Sequence, residues 1–183
     1  MITVIKESIP SQSDLTNATT AANHTIPLGH RITVWDDSKE MEKEYIYLQI
    51  STGKGTAYVP YVVNYTGTTG LEVNTGAPSC STGIGAQGNI SELVVLPVTC
   101  TSGMYAWGQT KGAALCAITA STAPLAAAKL IGVINAAAVV SSTTGAAAGT
   151  QPSNAFGIVT ASATSSATSV AVNLYGRLAL VTS

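Results

Sequence analysis

The chain has 183 residues and a formal net charge of −1, and 46% of its residues are hydrophobic, 9% charged and 5% aromatic. The length allows one domain with a substantial core or two small ones, and the charged fraction lies far below the roughly 25% of an ordinary soluble domain. The sequence has no cluster of basic residues, no run of about 18 apolar residues and no secretory-signal pattern, which argues against nucleic-acid binding, membrane insertion and export.

The first 29 residues form a segment of their own. A short β-type run is followed there by a polar, turn-rich stretch, which predicts an extended N-terminal arm with little core of its own. We expect the apolar residues near its start to contact a neighbouring protein subunit: Ile2, Val4, Ile5 and Ile9. Of the 17 charged residues, 12 lie in residues 1–54, so the rest of the chain relies on Ser, Thr, Asn and Gly for its polar surface.

Residues 30–65 are predicted to form strands. Ile32 and Val34, and then Tyr45 and Tyr47, have the two-residue spacing of strands, and the charged stretch DDSKEMEKE between them predicts a hairpin loop, with a short helix as the alternative. The next β-rich run, residues 56–65, is interrupted by Pro60, which predicts an edge strand or a bulge.

Residues 66–90 carry six glycines and are predicted to be a loop, and residues 91–99 are predicted to be a strand. Met104 to Thr110 is a further predicted strand, which ends at Lys111-Gly112. Tyr105 and Trp107 lie two residues apart, so they share one face of that strand. They are predicted to pack in the core or against another subunit, and a carbohydrate or base-stacking surface is the alternative.

The remainder predicts short strands at ALCAIT, FGIVTA and SVAVNLYG, separated by small polar residues. Residues 124–140 are alanine-rich and fit either a helix or strand and loop, and the second is favoured by Gly132 and the β-branched residues. Together these patterns predict an all-β fold, a sandwich or barrel-like domain with an extended arm and long Gly/Ser/Thr-rich loops. Residues 30–183 are predicted to be that domain, or two subdomains, 30–65 with 91–183, joined by loop 66–90.

No pattern of residues predicts catalysis or metal binding. The Gly53-Lys54 pair lacks the spacing of a phosphate-binding loop, and there is no nucleophile elbow. The residues that such chemistry uses are few and scattered: His24, His30, Asp36, Asp37, Cys80, Cys100 and Cys116. The cysteines are predicted to be free, buried thiols. We therefore expect no enzyme, no cofactor and no metal.

Two stretches of the chain carry a resemblance to a known family. They are PLGHRITVWDDSKEMEKEYIYLQI (residues 27–50) and the succession from GMYAWGQTKGAALC (103–116) through LIGV (130–133) and FGIV (156–159) to VAVNLYGRLAL (170–180). This succession resembles small virion proteins of tailed bacteriophages, the head decoration or cement proteins. The likeness covers about two thirds of the chain, and loop 66–90 has no counterpart in it.

The resemblance implies a structural virion protein, a β-barrel or β-sandwich that binds the outside of a phage capsid and stabilises it by bridging capsomers. It implies the phage major capsid protein and further copies of the chain as partners, with a homotrimer favoured over a dimer, and folding in the host cytoplasm. The N-terminal arm would then reach a neighbouring capsid or sister subunit. A receptor- or glycan-binding module of a head fibre or tail, with Tyr105 and Trp107 exposed, is the alternative.

Overall fold

The computed structural model describes residues 10, 12–20, 26–50, 55–66, 70–73, 92–118, 126–128, 130–133, 140–142, 156–164 and 166–176. Strands dominate this part of the chain, which confirms the all-β prediction. The elements are α1 (Gln12–Leu15), β1 (Ala18–Thr19), β2 (Arg31–Asp36), β3 (Met41–Ile50), β4 (Pro60–Thr66), β5 (Gly70–Val73), β6 (Glu92–Val95), β7 (Tyr105–Ala117), β8 (Leu130–Val133), β9 (Val140–Ser142), β10 (Gly157–Val159) and β11 (Ser169–Tyr175).

Five of the strands close into a ring. Strand β3 pairs with β5 in parallel, and the antiparallel pairings β5–β4, β4–β6, β6–β7 and β7–β3 complete the circle. The side chains inside it form a buried apolar cluster: Ile46, Leu48, Ile50, Tyr61, Val63, Val94, Leu96, Cys100 and Ala106. Gly108 lies opposite Ile46 on the neighbouring strand, and a Cβ at this position would overlap the Val94 side chain. The glycine therefore gives a small barrel the room to fill its interior with larger side chains.

Strand β7 belongs to two parts of the sheet. Its first half pairs with β3 in the ring, and its second half, from Lys111 to Ala117, pairs with β11. The sheet then continues through β10 and β8 to β9. The strand was predicted to end at Lys111-Gly112, and this prediction is wrong. Gly112 adopts a φ of 88° inside the strand, which lets the chain bend and go on, so ALCA is the end of β7 instead of a separate strand.

The bend of β7 is held by a buried glutamine. Gln109 is 5% exposed, and its Nε2 donates hydrogen bonds to the carbonyl oxygens of Lys111 at 3.0 Å and Ala113 at 2.8 Å. The register between β3 and β7 shifts at the same place, between Glu44 and Tyr45. Such a bulge leaves backbone groups without a partner in the ladder. The Gln109 amide binds two carbonyl groups beside this irregularity, where the strand passes from one sheet partner to the next.

A second apolar cluster lies beneath the outer strands. Along β11, Val170, Val172 and Leu174 are buried and the residues between them are not, so one face of this sheet is covered and the other is open. The cluster is made of Leu93, Val95, Cys116, Ile118, Ile131, Phe156, Val159, Val170, Val172 and Leu174. Leu93 and Val95 come from the ring, so the two parts share a continuous apolar contact.

Three further predictions from the sequence can be compared with the structure, and their outcomes differ. The β2–β3 hairpin is confirmed, but its turn covers only residues 37–40, because Met41 to Glu44 pair with β2. Strand β4 is paired on both sides, so Pro60 does not mark an edge or a bulge, and it stands at the first residue of the strand. The predicted loop 66–90 contains β5, which pairs with β3 and β4.

The ambiguous segment 124–140 is a turn at 126–128 and a strand at 130–133, as favoured, and β9 begins at Val140. Residues 124, 125, 129 and 134–139 lie outside the described residues.

Candidate functional site

Tyr105 and Trp107 lie on the outer surface of the ring, on the same face of β7. Trp107 is only 4% exposed, with its ring centroid 5.2 Å from that of Tyr47, and Tyr105 stacks on Tyr47 at 6.1 Å. The His30 ring meets the Trp107 ring edge-on at 6.3 Å. Such geometries are the favourable ones for aromatic packing. Trp107 therefore lies within the core of its own chain, and it does not present a surface to a sugar or a base.

The N-terminal segment helps to cover this aromatic cluster. Leu15 of α1 is 4% exposed and belongs to the same apolar cluster as Trp107, and β1 pairs with β7 at Ala106 and Tyr105. Residues 12–19 are thus attached to the barrel by one buried side chain and a short strand pairing. The proposed contact residues Ile2, Val4, Ile5 and Ile9 lie outside the described residues.

One side of the outer sheet carries the large exposed apolar side chains of this region, and we call it the open face. The register of β7, β11 and β10 places nine residues on it: Lys111, Ala113, Leu115, Ala117, Ile158, Ser169, Ala171, Asn173 and Tyr175. None of the nine is buried, whereas the opposite face packs on the second apolar cluster. Leu115 is 42% exposed and Tyr175 is 48% exposed. Exposed apolar side chains on one sheet face are candidates for contact with a binding partner.

A cleft of about 330 Å³ opens where β3, β7 and β11 meet at one end of the open face. It is lined by Met41, Glu42, Lys111, Gly112, Asn173, Leu174 and Tyr175. Lys111 Nζ lies 3.2 Å from a Glu44 oxygen and 3.7 Å from a Glu42 oxygen. The hydrogen bond to Glu44 and the charges of both glutamates raise the pKa of Lys111, so the ammonium stays charged.

Trp35 lies on β2, next to the cleft residue Glu42 of β3. It lies directly across from Glu42 in the β2–β3 pairing, and its side chain is 60% exposed. The pairings Trp35–Glu42, Glu44–Lys111 and Lys111–Tyr175 carry one sheet face across four strands. The charged cluster therefore lies between two exposed aromatic residues, Trp35 and Tyr175.

These exposed residues were missed by the sequence reasoning, which selected the aromatic pair in β7. A signal was present in the alternation. Ile32 and Val34 pack against the aromatic cluster around Trp107, so Trp35 must point to the opposite face of β2. In SVAVNLY the buried residues Val170, Val172 and Leu174 likewise place Tyr175 on the open side.

Among the described residues, those of types used in catalysis or metal binding lie in surroundings that suit a structural role. Cys100 and Cys116 are free and buried, as predicted, and burial raises the pKa of both thiols, that of Cys116 to about 12. A thiol with a raised pKa is a weak nucleophile. Within the described ranges, no group of three or more His, Cys, Asp and Glu side chains is placed to hold a metal ion. Cys80 and His24 lie outside these ranges.

Asp36 ends β2 in a set of local bonds. It forms a salt bridge with Lys43, and its carboxylate also accepts hydrogen bonds from the Ser38 backbone at 2.9 Å and hydroxyl at 2.6 Å. The bond from Lys43, followed by that from Ser38, holds the pKa of Asp36 well below its usual range. Asp37 is exposed in the turn. The two carboxylates therefore do not act as a pair.

Comparison of the chain with protein-family models, with curated proteins and with solved structures finds no match. No helix in the described part is both long enough and apolar enough to cross a membrane.

Proposed function

We propose that this protein is a structural virion protein that binds the outside of a phage capsid and stabilises it by bridging capsomers. The observation that carries the proposal is the open face. Away from the cleft, this face is formed by Ala113, Leu115, Ala117, Ile158, Ser169 and Ala171, and we call this part the apolar end. It carries no charged residue, and Leu115 projects from it with 42% of its surface exposed.

Docking of another protein on the apolar end is favourable for a simple reason. Small side chains let a partner approach the sheet closely, and removal of apolar surface from water contributes about 25 cal/mol per Å². No charged side chain of this end has to lose its hydration. The charged fraction of 9% fits the same reasoning, because a chain whose surface is largely covered in an assembly needs little charge for solubility. Many modest contacts on a capsid lattice add up to a large stabilisation.

The N-terminal residues are the proposed second contact. Residues 12–19 are attached to the barrel through Leu15 and β1, so removal of residues 1–9 leaves that attachment in place. We expect the truncated protein to unfold at the same temperature as the full chain and to bind capsids more weakly. Full-strength binding by the truncated protein would contradict a role for Ile2, Val4, Ile5 and Ile9.

The test uses phage particles assembled without this protein. Added protein should bind to saturation at a simple ratio to the major capsid protein, and the loaded particles should withstand higher temperatures before they release DNA. Leu115→Asp should abolish binding, because it puts a charge in the apolar end. Thr101→Asp, on an exposed turn, is the matched control and should bind like the unchanged protein.

Two results would count against the proposal. Equal binding by the Leu115→Asp and unchanged proteins would remove the apolar end from the contact. A few copies per native particle, in place of a lattice ratio, would favour a head-fibre or tail module.

A further inference from the structure

The cleft between β3, β7 and β11 has a different chemistry from the apolar end. Its polar groups come from Glu42, Lys111 and Asn173, and its open wall is the Tyr175 ring. Its volume of about 330 Å³ lies at the lower end of the range for small-molecule sites in proteins. We propose that this cleft binds a neutral oligosaccharide.

The pairing of charges in the cleft favours a neutral ligand. Lys111 lies 3.2 Å from Glu44 and 3.7 Å from Glu42, so one ammonium is set between two carboxylates. An anion that reached Lys111 would meet both glutamates, and a cation that reached the glutamates would meet Lys111. A neutral ligand avoids both repulsions. It can also use the charged groups as hydrogen-bond partners, and such bonds are stronger than those between neutral groups.

The available groups match the hydroxyls of a sugar. Glu42 is 57% exposed and offers carboxylate oxygens as acceptors, Lys111 is 40% exposed and offers N–H donors, and the Asn173 amide offers both. A sugar hydroxyl donates one hydrogen bond and accepts others, so a set of mixed donors and acceptors suits it. The ion pairs fix the Lys111 and glutamate side chains before a ligand arrives, which lowers the entropy cost of binding.

The aromatic residues match the other surface of a sugar. A pyranose ring has apolar C–H faces, which pack on an exposed aromatic ring, and Tyr175 is 48% exposed at the cleft. Trp35, which is 60% exposed, lies on β2, three strands away from β11 in the order β2–β3–β7–β11. Three inter-strand distances amount to about 14 Å, which is the span of a short chain of sugars. The two rings therefore favour an oligosaccharide over a single sugar.

The cleft and the apolar end can work independently. Leu115 follows Lys111 by four residues on β7, which places it about 13 Å along the strand. The two surfaces adjoin at Asn173, which pairs with Ala113 and Ile158 of the apolar end, but a capsid protein docked around Leu115 leaves the side of Glu42 and Lys111 free for a saccharide. Sugar binding does not depend on the proposed capsid function, and its test needs no capsid.

The test is a titration of the ¹⁵N-labelled full chain with maltotriose and N,N′,N″-triacetylchitotriose, which are neutral, and with 3′-sialyllactose and the deacetylated chitosan trimer, which are charged. At least one neutral trisaccharide should shift the backbone amide signals of Glu42, Lys111, Gly112 and Tyr175. Glu42→Gln and Tyr175→Ala should each weaken its binding about tenfold or more, as expected for loss of a charged hydrogen bond or of a packed ring. Trp35→Ala should weaken the binding of the trisaccharide more than that of the matching disaccharide.

Glu40→Gln is the matched control, since Glu40 lies in the β2–β3 turn and does not line the cleft, and it should change the affinity less than twofold. The proposal is overturned if neither neutral sugar shifts these signals, if the shifts map to other residues, or if a charged sugar binds more tightly. Leu115→Asp should leave sugar binding unchanged, whereas Glu42→Gln should leave capsid attachment unchanged. This pair of variants separates a failure of the sugar site from a failure of the capsid proposal.

Discussion

Substitution of Gln109 by Met should destabilise the protein strongly although the two side chains have similar volumes. Gln109 is 5% exposed and donates to the carbonyl oxygens of Lys111 at 3.0 Å and Ala113 at 2.8 Å. Met cannot donate, so both carbonyls lose this hydrogen bond in a partly buried place. An unsatisfied buried group costs about 1–3 kcal/mol, and two of them give about 2–4 kcal/mol after partial relaxation. This is a large part of the roughly 5–15 kcal/mol that stabilises a folded domain.

The assay is urea unfolding, with the free energy of unfolding obtained by linear extrapolation, together with a thermal scan. For a chain of this size the loss corresponds to a decrease of the midpoint temperature by about 5–15 °C. Thr110→Val on the same strand is the control. Its hydroxyl donates to the Glu44 carbonyl at 3.3 Å, a longer and weaker bond, and its loss should cost less than about 1 kcal/mol.

The variant Gln109→Glu should make the free energy of unfolding depend on pH. An ionised carboxylate cannot donate, and it would face two carbonyl oxygens, so its pKa in the folded state should rise above the value of about 4.3 in the unfolded chain. The folded state then binds the proton more tightly, so the stability of this variant relative to the unchanged protein is greatest below about pH 4.3 and falls as the pH rises through the folded-state pKa. If Gln109→Met is as stable as the unchanged protein and Gln109→Glu shows no added pH dependence, the two hydrogen bonds do not hold the bend.

Three further predictions concern the backbone, a carboxylate and a thiol. Gly112→Ala should lower the free energy of unfolding by about 2–5 kcal/mol, because the φ of Gly112 is 88° and the added Cβ would collide with the Glu42 carbonyl. Gly103→Ala is the control: its φ is 82° but the space around the Cβ is open, so the loss should be only about 1–2 kcal/mol. An equal cost for both would exclude the collision. Because the pKa of Asp36 is depressed in the folded protein, the contribution of this carboxylate to stability is complete above about pH 4 and is lost as the pH falls. Asp36→Asn should therefore reduce the difference between the urea midpoints at pH 7 and pH 3. An unchanged difference would contradict the role of Lys43. Burial raises the pKa of Cys116 to about 12, so iodoacetamide at pH 8 should label the peptide with Cys116 only after unfolding, and labelling of the native protein would show that the outer sheet opens readily.

Much of the fold could be predicted from the alternation of side chains along the strands. It located β2, β3 and β11, and it placed Tyr105 and Trp107 on one face of β7, because a period of two residues follows directly from strand geometry. The same rule could have found Trp35 and Tyr175, the aromatic residues of the cleft. Periodicity reports which side chains share a face, and it is silent about what covers that face.

The pairing partners could not be obtained in this way. Strand β3 pairs with β7 across more than fifty intervening residues, for instance Tyr47 with Trp107, and no local pattern indicates such a contact. Strand β5 has only four residues in a glycine-rich context, so its pairing with β3 and β4 decides its conformation where local propensity would not. Gly112 likewise predicted the end of a strand, because glycine is common where strands end. In the structure the strand continues through Gly112 with a left-handed conformation, and Gln109 forms hydrogen bonds with the carbonyls on both sides of it.

The position of the cleft follows from the place where β7 bends and changes its pairing partner. Lys111 is the residue at which β7 changes partners, since it pairs with Glu44 of β3 on one side and with Tyr175 of β11 on the other. Gly112, where β7 bends, lies beside the start of β3 and the end of β11, so a lysine, two glutamates and a tyrosine from distant parts of the sequence lie close together there. Beyond the bend the same strand presents Leu115 and its small neighbours. Because one long strand contributes to both the polar cleft and the apolar end, the two surfaces proposed for binding lie on a single sheet face.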